Sequence, residues 1–397
     1  MILYINFMNY IRYSFEQLKS ASEHSLFPFL LFLLLTLLCV KCSTRSSKRK
    51  NFISCQDMEE LKRLEDCKAL RTQLIEARQA IRALIKQQSW TPVLLRLAWS
   101  DAASYNRHIP HWPEMGGANG SIRREIELDL PLNAGLDKGI QSLRPLKVAY
   151  PRVSWADLIQ MAGALAVESS NGPTIHMRYG RVDAHDDDED NKVEEDVDSN
   201  PSLRLPCPCY PFPDQAITPA VHVRNIFSRL GFNSSETVAL MGGHTLGRAF
   251  QDRTGVTEHA SGPLGSTAYT RPSAAPVIVR DNSTENTSKI SSVKLAGGQS
   301  WTKRWLQFDN SYFSQRIVYE NGKGGNNLDQ GRSSSNWCDD LLWLPTDDAL
   351  LQSPEFKSHF LNFARNEEAF FIAYAAAHKK MSELGAKFEP PEGIYLD

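Results

Sequence analysis

Basic residues are not in excess in this 397-residue chain: 44 Lys and Arg face 46 Asp and Glu. Binding to a phosphate backbone draws on a surplus of cations, so this balance gives no argument for a nucleic-acid partner, and none is expected. Cysteine is scarce as well. Seven residues, an odd number, are too few to staple a chain of this length and suit a reducing compartment. Cys207 and Cys209 stand too close together and too isolated for a metal site. No internal repeat is visible, and one apolar run stands out as free of charge. With 42% hydrophobic and 23% charged residues, the composition is otherwise that of an ordinary globular protein, sufficient for one large domain or two lobes.

That single run is LFPFLLFLLLTLLCV, Leu26 to Val40, 15 residues without a charge. A spanning helix takes about 20 apolar residues, and a signal core is shorter. Lys41, Arg45, Lys48, Arg49 and Lys50 follow it and outnumber Arg12 and Lys19 before it. This asymmetry favours a membrane anchor with the large domain in the cytosol. The other reading is a two-part targeting sequence for a plastid or another organelle, with the basic, hydroxyl-rich stretch as its second half. The expected division is a segment 1–25, the anchor or signal core 26–42, a linker 43–60 and a domain 61–397.

From Leu61 the pattern becomes helical. Leu64, Ala69, Leu74, Ala77, Ala80, Ile81 and Leu84 recur close to a 3.6 period. Pro92 is placed to open a second helix, where its missing N–H costs little. VSWADLIQMAGALAVESS reads as another helix, ended by Gly172-Pro173, and AVHVRNIFSRLGF as a further one. Asn233 and Glu236 have the spacing of a capping box for the helix that leads to His244. Asp186 to Asp198 holds nine carboxylates against Lys192 alone, a solvated loop or a dock for a basic electron-donor protein. Residues 255–300 read as one long loop or insertion, and the tail from Glu355 to Leu384 as helical again, ending at Gly385.

The chemistry concentrates in LLRLAWSDAASY, Leu94 to Tyr105. Arg96, Trp99 and Ser100 stand at i, i+3 and i+4, so on a helix they share one face. Asp101, one position on, points about 100° away.

The chain resembles the class I haem peroxidases, and among them the chloroplast-type ascorbate peroxidases. The resemblance runs from about Leu61 to Asp397 and rests on several stretches in the family's order. They include LLRLAWSDAASYN, HWPEMGGANGSIRREIEL, MRYGRVDA, VALMGGHTLGR, GGQSWTKRWLQFDNSYF and LLWLPTDDALL. It implies a mostly α, two-lobed fold with haem b between a distal lobe (about 61–183) and a proximal lobe (about 215–397), joined by the acidic and proline-rich 184–214. His244 matches the proximal ligand of the iron, Asp347 the carboxylate behind it, and Trp301 the tryptophan beside it. Arg96 matches the arginine that stabilises the departing peroxide oxygen. Trp99 matches the distal tryptophan, and Asn133 the asparagine that orients a distal histidine. Arg253 falls where ascorbate is held. Gln88 stands in place of a lysine often found before the distal helix. Thr245, Thr302 and Asp309 match a monovalent-cation site, such as one for potassium. There Arg304 replaces one ligand and brings a charge of its own.

The distal histidine itself is absent; Ser100 stands in its place. A serine hydroxyl cannot take and return a proton near neutral pH, and losing a positioned acid/base costs roughly 10²–10⁴ in rate. The resemblance therefore implies a slow haem peroxidase. Its substrates would be hydrogen peroxide and ascorbate, another small reductant or a cytochrome c-like donor. The rival reading is a haem-binding pseudo-peroxidase that serves as sensor or scaffold.

Overall fold

The computed structural model describes residues 55–185, 214–249, 299–324 and 341–396. The Leu26–Val40 run with its basic flank, the acidic stretch and Arg253 lie outside them. Residues 1–64 and 65–397 form two compact units. Of the first, only the opening turns of a helix are described. No helix among the described residues is long and apolar enough to cross a membrane; the expected anchor lies outside them.

The fold is mostly helical, as expected. Helix α1 spans Cys55–Gln88 and buries Leu74, Ala77 and Ile81, the core stripe of its 3.6 period. Helix α2, Thr91–Ala102, follows after a short break, with Pro92 in its first turn. Helix α3 is Asp137–Ala149 and α4 is Trp155–Ser169, where the Ser154 hydroxyl accepts from Asp157 N. Helix α4 is buried over most of its length and packs along α2. The approach is close because Gly163 has no side chain: a Cβ there would lie 2.4 Å from that of Ala98.

Helix α5, Pro219–Leu230, and α6, Ser234–Met241, lead to the histidine. The capping box is formed: Glu236 N donates to Asn233 Oδ1 and Asn233 N to Glu236 Oε2, both at 2.9 Å. His244 does not sit on α6 itself. It belongs to the 3-10 turn Gly242–Thr245 that follows. A two-stranded antiparallel pair comes next, β1 (Arg248–Ala249) with β2 (Gln299–Ser300). It brings Trp301 next to the turn. Helices α7 (Ser311–Gly324), α8 (Pro345–Gln352), α9 (Pro354–Arg365) and α10 (Glu367–Met381) complete the chain. The closing stretch is helical, as expected, and is divided into two helices. Asn366 leaves helical geometry and its side chain accepts from Ala369 N, capping α10. An aromatic cluster of Tyr312, Phe313, Phe360 and Phe370 underlies the histidine turn. Gly242 is glycine for that reason: a Cβ would come within 2.6 Å of both Phe313 and Phe370.

Candidate active site

Three distant segments meet at Asp347. This residue is 1% exposed and sits in the first turn of α8, where its Oδ2 accepts from Leu344 N at 2.9 Å. Trp301 Nε1 donates to the same oxygen at 2.8 Å. The other oxygen pairs with His244 Nδ1 at 2.8 Å and accepts from the Tyr312 hydroxyl at 2.8 Å. Burial alone would raise this carboxyl. The facing His244 imidazole and the donors around it hold it below the usual carboxylate range instead. Burial and the Asp347 charge push the Tyr312 phenol well above its usual value.

The imidazole is fixed on two sides. The Trp301 indole stacks on it with centroids 4.4 Å apart and planes at 17°, and Tyr312 meets it edge-on at 5.9 Å. Its Nδ1 is committed to Asp347, so a proton on Nδ1 leaves the lone pair on Nε2. The side chain remains 32% exposed while Asp347 is fully buried. A half-open imidazole with one free nitrogen, backed by a buried carboxylate, is a donor set suited to iron in a porphyrin.

Sequence comparison of motifs named His244, Asp347 and Trp301, and the structure brings all three together. Tyr312 was not among the expected site residues. It lies in the quoted stretch GGQSWTKRWLQFDNSYF, but nothing in the local pattern signals a bond to a carboxylate 35 positions away.

On α2, Arg96 and Ser100 share one face, one turn apart, as their spacing requires. Arg96 is half-buried; its Nη1 donates to Ala134 O at 3.0 Å, and its Nη2 donates to Leu132 O. These carbonyls flank Asn133, so the guanidinium clamps the Asn133 turn against α2. Asn133 is fully buried, with Nδ2 donating to Glu127 O at 2.8 Å. That bond fixes the amide's orientation, and it leaves Oδ1 buried with no hydrogen-bond partner. Ser100 is 5% exposed. Trp99 packs on Phe227 with centroids 5.8 Å apart. Gln88 accepts from the Trp90 indole.

Asp101 turns away from this face, as expected. It accepts from Gly120 N at 3.2 Å and Gln160 Nε2 at 3.3 Å. Burial and the neighbouring Glu127 carboxylate push it up to about 7. Thr245, Thr302 and Asp309 also come together, beside the histidine turn, and Arg304 joins them.

Comparison with known proteins agrees with this geometry. The model of the peroxidase family matches residues 77–366. The chain is 40% identical over 325 residues to "L-ascorbate peroxidase T, chloroplastic" of Arabidopsis thaliana, a match covering 82% of this chain and 63% of that protein. It is 39% identical over 326 residues to "Probable L-ascorbate peroxidase 7, chloroplastic" of Oryza sativa subsp. japonica, covering 82% of this chain and 75% of the relative. Against "L-ascorbate peroxidase 5, peroxisomal" of Arabidopsis thaliana the identity is 35% over 319 residues, covering 80% and 84%.

Proposed function

The chain belongs to the peroxidase family, and from that premise we propose that it is a haem-dependent peroxidase. It reduces hydrogen peroxide at the expense of ascorbate or another small electron donor, slowly. The observation that carries the reading is the His244–Asp347–Trp301 arrangement, with a free imidazole nitrogen, a buried carboxylate behind it and an indole stacked on the ring.

Bound haem b would supply the iron chemistry that cleaves the peroxide O–O bond. The side chains do the rest. Asp347 takes the Nδ1–H of His244, which fixes the tautomer, orients the ring and makes Nε2 a stronger donor. Trp301, stacked on that ring and bonded to the same carboxylate, is the side chain best placed for one-electron exchange. Arg96 is always charged and has five N–H donors, two of its nitrogens holding the 132–134 turn in this structure. Turned to the peroxide, it would stabilise negative charge on the departing oxygen. Ser100 offers no base at the next turn, so the proton passes slowly, through water. Arg253 is the proposed contact for ascorbate, and 61–183 and 215–397 the proposed distal and proximal lobes.

A second reading follows from Ser100: the same proximal site binds haem in a protein that senses or scaffolds. The acidic stretch 186–198 keeps a basic electron-donor protein as an alternative reductant. The names of two of these relatives place them in the chloroplast, and on that ground we assign residues 1–50 a plastid-targeting role in preference to the anchor. A shortened product inside sealed plastids supports it, and a full-length product resisting a carbonate wash of membranes rejects it.

The test of the main reading is haemin titration of the purified protein followed by peroxide addition. A single Soret transition that His244→Ala abolishes, with slow consumption of peroxide by the wild type, is expected. An unchanged spectrum in His244→Ala rejects the proximal assignment. Bound haem with no peroxide consumption selects the sensor or scaffold.

A further inference from the structure

The cluster beside the histidine turn has a feature that the peroxidase chemistry does not use. Thr245 and Thr302 are fully buried and Asp309 is 4% exposed, so four side-chain oxygens and an anionic charge are packed beside the histidine turn. Left alone, that carboxylate would be a buried charge without a counter-charge, which is costly. A metal ion of single charge is one way to balance it. Such an ion needs the hydroxyl lone pairs and the carboxylate turned inward on a common point.

In this structure the carboxylate is committed to other partners. Thr302 Oγ1 donates to Thr245 O at 3.0 Å, and Thr245 Oγ1 donates to Asp309 Oδ1 at 3.2 Å. Ser311 N donates to the same carboxylate oxygen at 2.9 Å. The remaining oxygen, Oδ2, accepts from Arg304 Nη2 at 2.7 Å. The hydroxyls keep their lone pairs, but both carboxylate oxygens are taken, Oδ1 by two donors and Oδ2 by a full positive charge. The positive charge arrives from the solvent side on a side chain that is 63% exposed, while the Asp309 side chain is 5% exposed. A guanidinium keeps its charge at every working pH.

We propose that Arg304 is the built-in cation of this cluster and takes the place of a monovalent metal ion. The segment joining His244 to Thr245 and the segment from Trp301 to Ser311 are then held together whatever the potassium concentration. The inference concerns residues outside the proposed iron ligands, and its test reads no haem signal, so its failure is separate from that of the peroxidase reading.

The experiment compares thermal melts of the full-length protein in potassium chloride and in choline chloride at equal concentration. Wild type and Arg304→Lys, which keeps the charge, are expected to melt at the same temperature in both salts. Arg304→Gln is expected to melt lower in choline and to regain about 2 °C or more in potassium, as mass action on a vacated site requires. An Arg304→Gln protein that folds only in potassium is the same result in stronger form. Potassium-specific stabilisation of the wild type overturns the proposal, because an ion then binds alongside Arg304. An Arg304→Gln protein indifferent to potassium overturns it too, because no ion then fits where the guanidinium was.

Discussion

Replacing Asp347 by Asn changes one atom and tests the whole proximal arrangement. The carboxylate accepts four hydrogen bonds: from His244 and Tyr312 on one oxygen, and from Trp301 and Leu344 N on the other. An amide can serve only one of these pairs. Its NH2 then faces two donors, and the indole and backbone N–H cannot rearrange into acceptors. The low-cost solution puts the amide oxygen toward Trp301 and Leu344 and the NH2 toward His244 and Tyr312. His244 must then accept at Nδ1 and carry its proton on Nε2, the nitrogen proposed to bind iron. Hydrogen bonds to a charged acceptor are worth about 1.5–3 kcal/mol each, and the amide forfeits that share. Loss of a carboxylate behind a metal-binding histidine typically weakens the metal site about 10–100-fold. Urea unfolding of the purified protein, together with haemin titration, measures both. If Asp347→Asn unfolds within 1 kcal/mol of wild type (about one ordinary hydrogen bond) and binds haemin equally well, the carboxylate does not hold the histidine and the reasoning is refuted.

Three further outcomes follow from the same geometry. Tyr312→Phe removes one neutral donor from Asp347 and should cost about 1–2 kcal/mol in urea melts, well below Asp347→Asn; an equal loss would mean that the phenol dominates. Gly163→Ala should destabilise by about 1–3 kcal/mol, because its Cβ would lie 2.4 Å from that of Ala98. Adding Ala98→Gly should restore most of the loss, and a failure to restore would place the strain elsewhere. Asp101 is raised to about 7, so between its unfolded value and that point the folded protein holds an extra proton. Its contribution to stability is complete at low pH and is lost as pH rises through about 7. Wild type should therefore lose about 2–3 kcal/mol relative to Asp101→Asn between roughly pH 5 and 8; a difference independent of pH rejects the raised value.

Local rules carried the helices well. Pro92 in the first turn of α2 and the Asn233–Glu236 box are decided by neighbours in sequence, and each was legible there. The break at Asn366 was legible in principle: Asn followed by Glu367, Glu368 and Ala369 is an N-cap signal, masked by the apolar period on either side. His244 looked like the end of a helix because Gly242 and Gly243 do not forbid one. What tightens the turn is packing of Phe313 and Phe370 on Gly242, contacts that no local pattern records. The site shows the same division. Arg96 and Ser100 share a face by helical spacing alone, whereas the approach of His244, Trp301 and Asp347 needed the family resemblance. The Tyr312 bond had no signal in either. The Arg304 charge was visible in sequence, but its seat on Asp309 was decided by the structure.

The central claim is a peroxidase site whose distal acid/base has been replaced by serine, and Ser100→His tests it most directly. Arg96 holds the turn bearing Asn133 one helical turn from position 100, and Asn133 Oδ1 is a buried acceptor without a partner. We propose, from the family resemblance, that a histidine at 100 gives that oxygen its donor through Nδ1–H and leaves Nε2 as the base. Stopped-flow mixing of the haem-loaded proteins with hydrogen peroxide should show Ser100→His reacting faster by on the order of 10²-fold or more. That is about 3 kcal/mol off the barrier. A wild type already as fast as Ser100→His would contradict the account, because another group would then be supplying the proton transfer that Ser100 cannot.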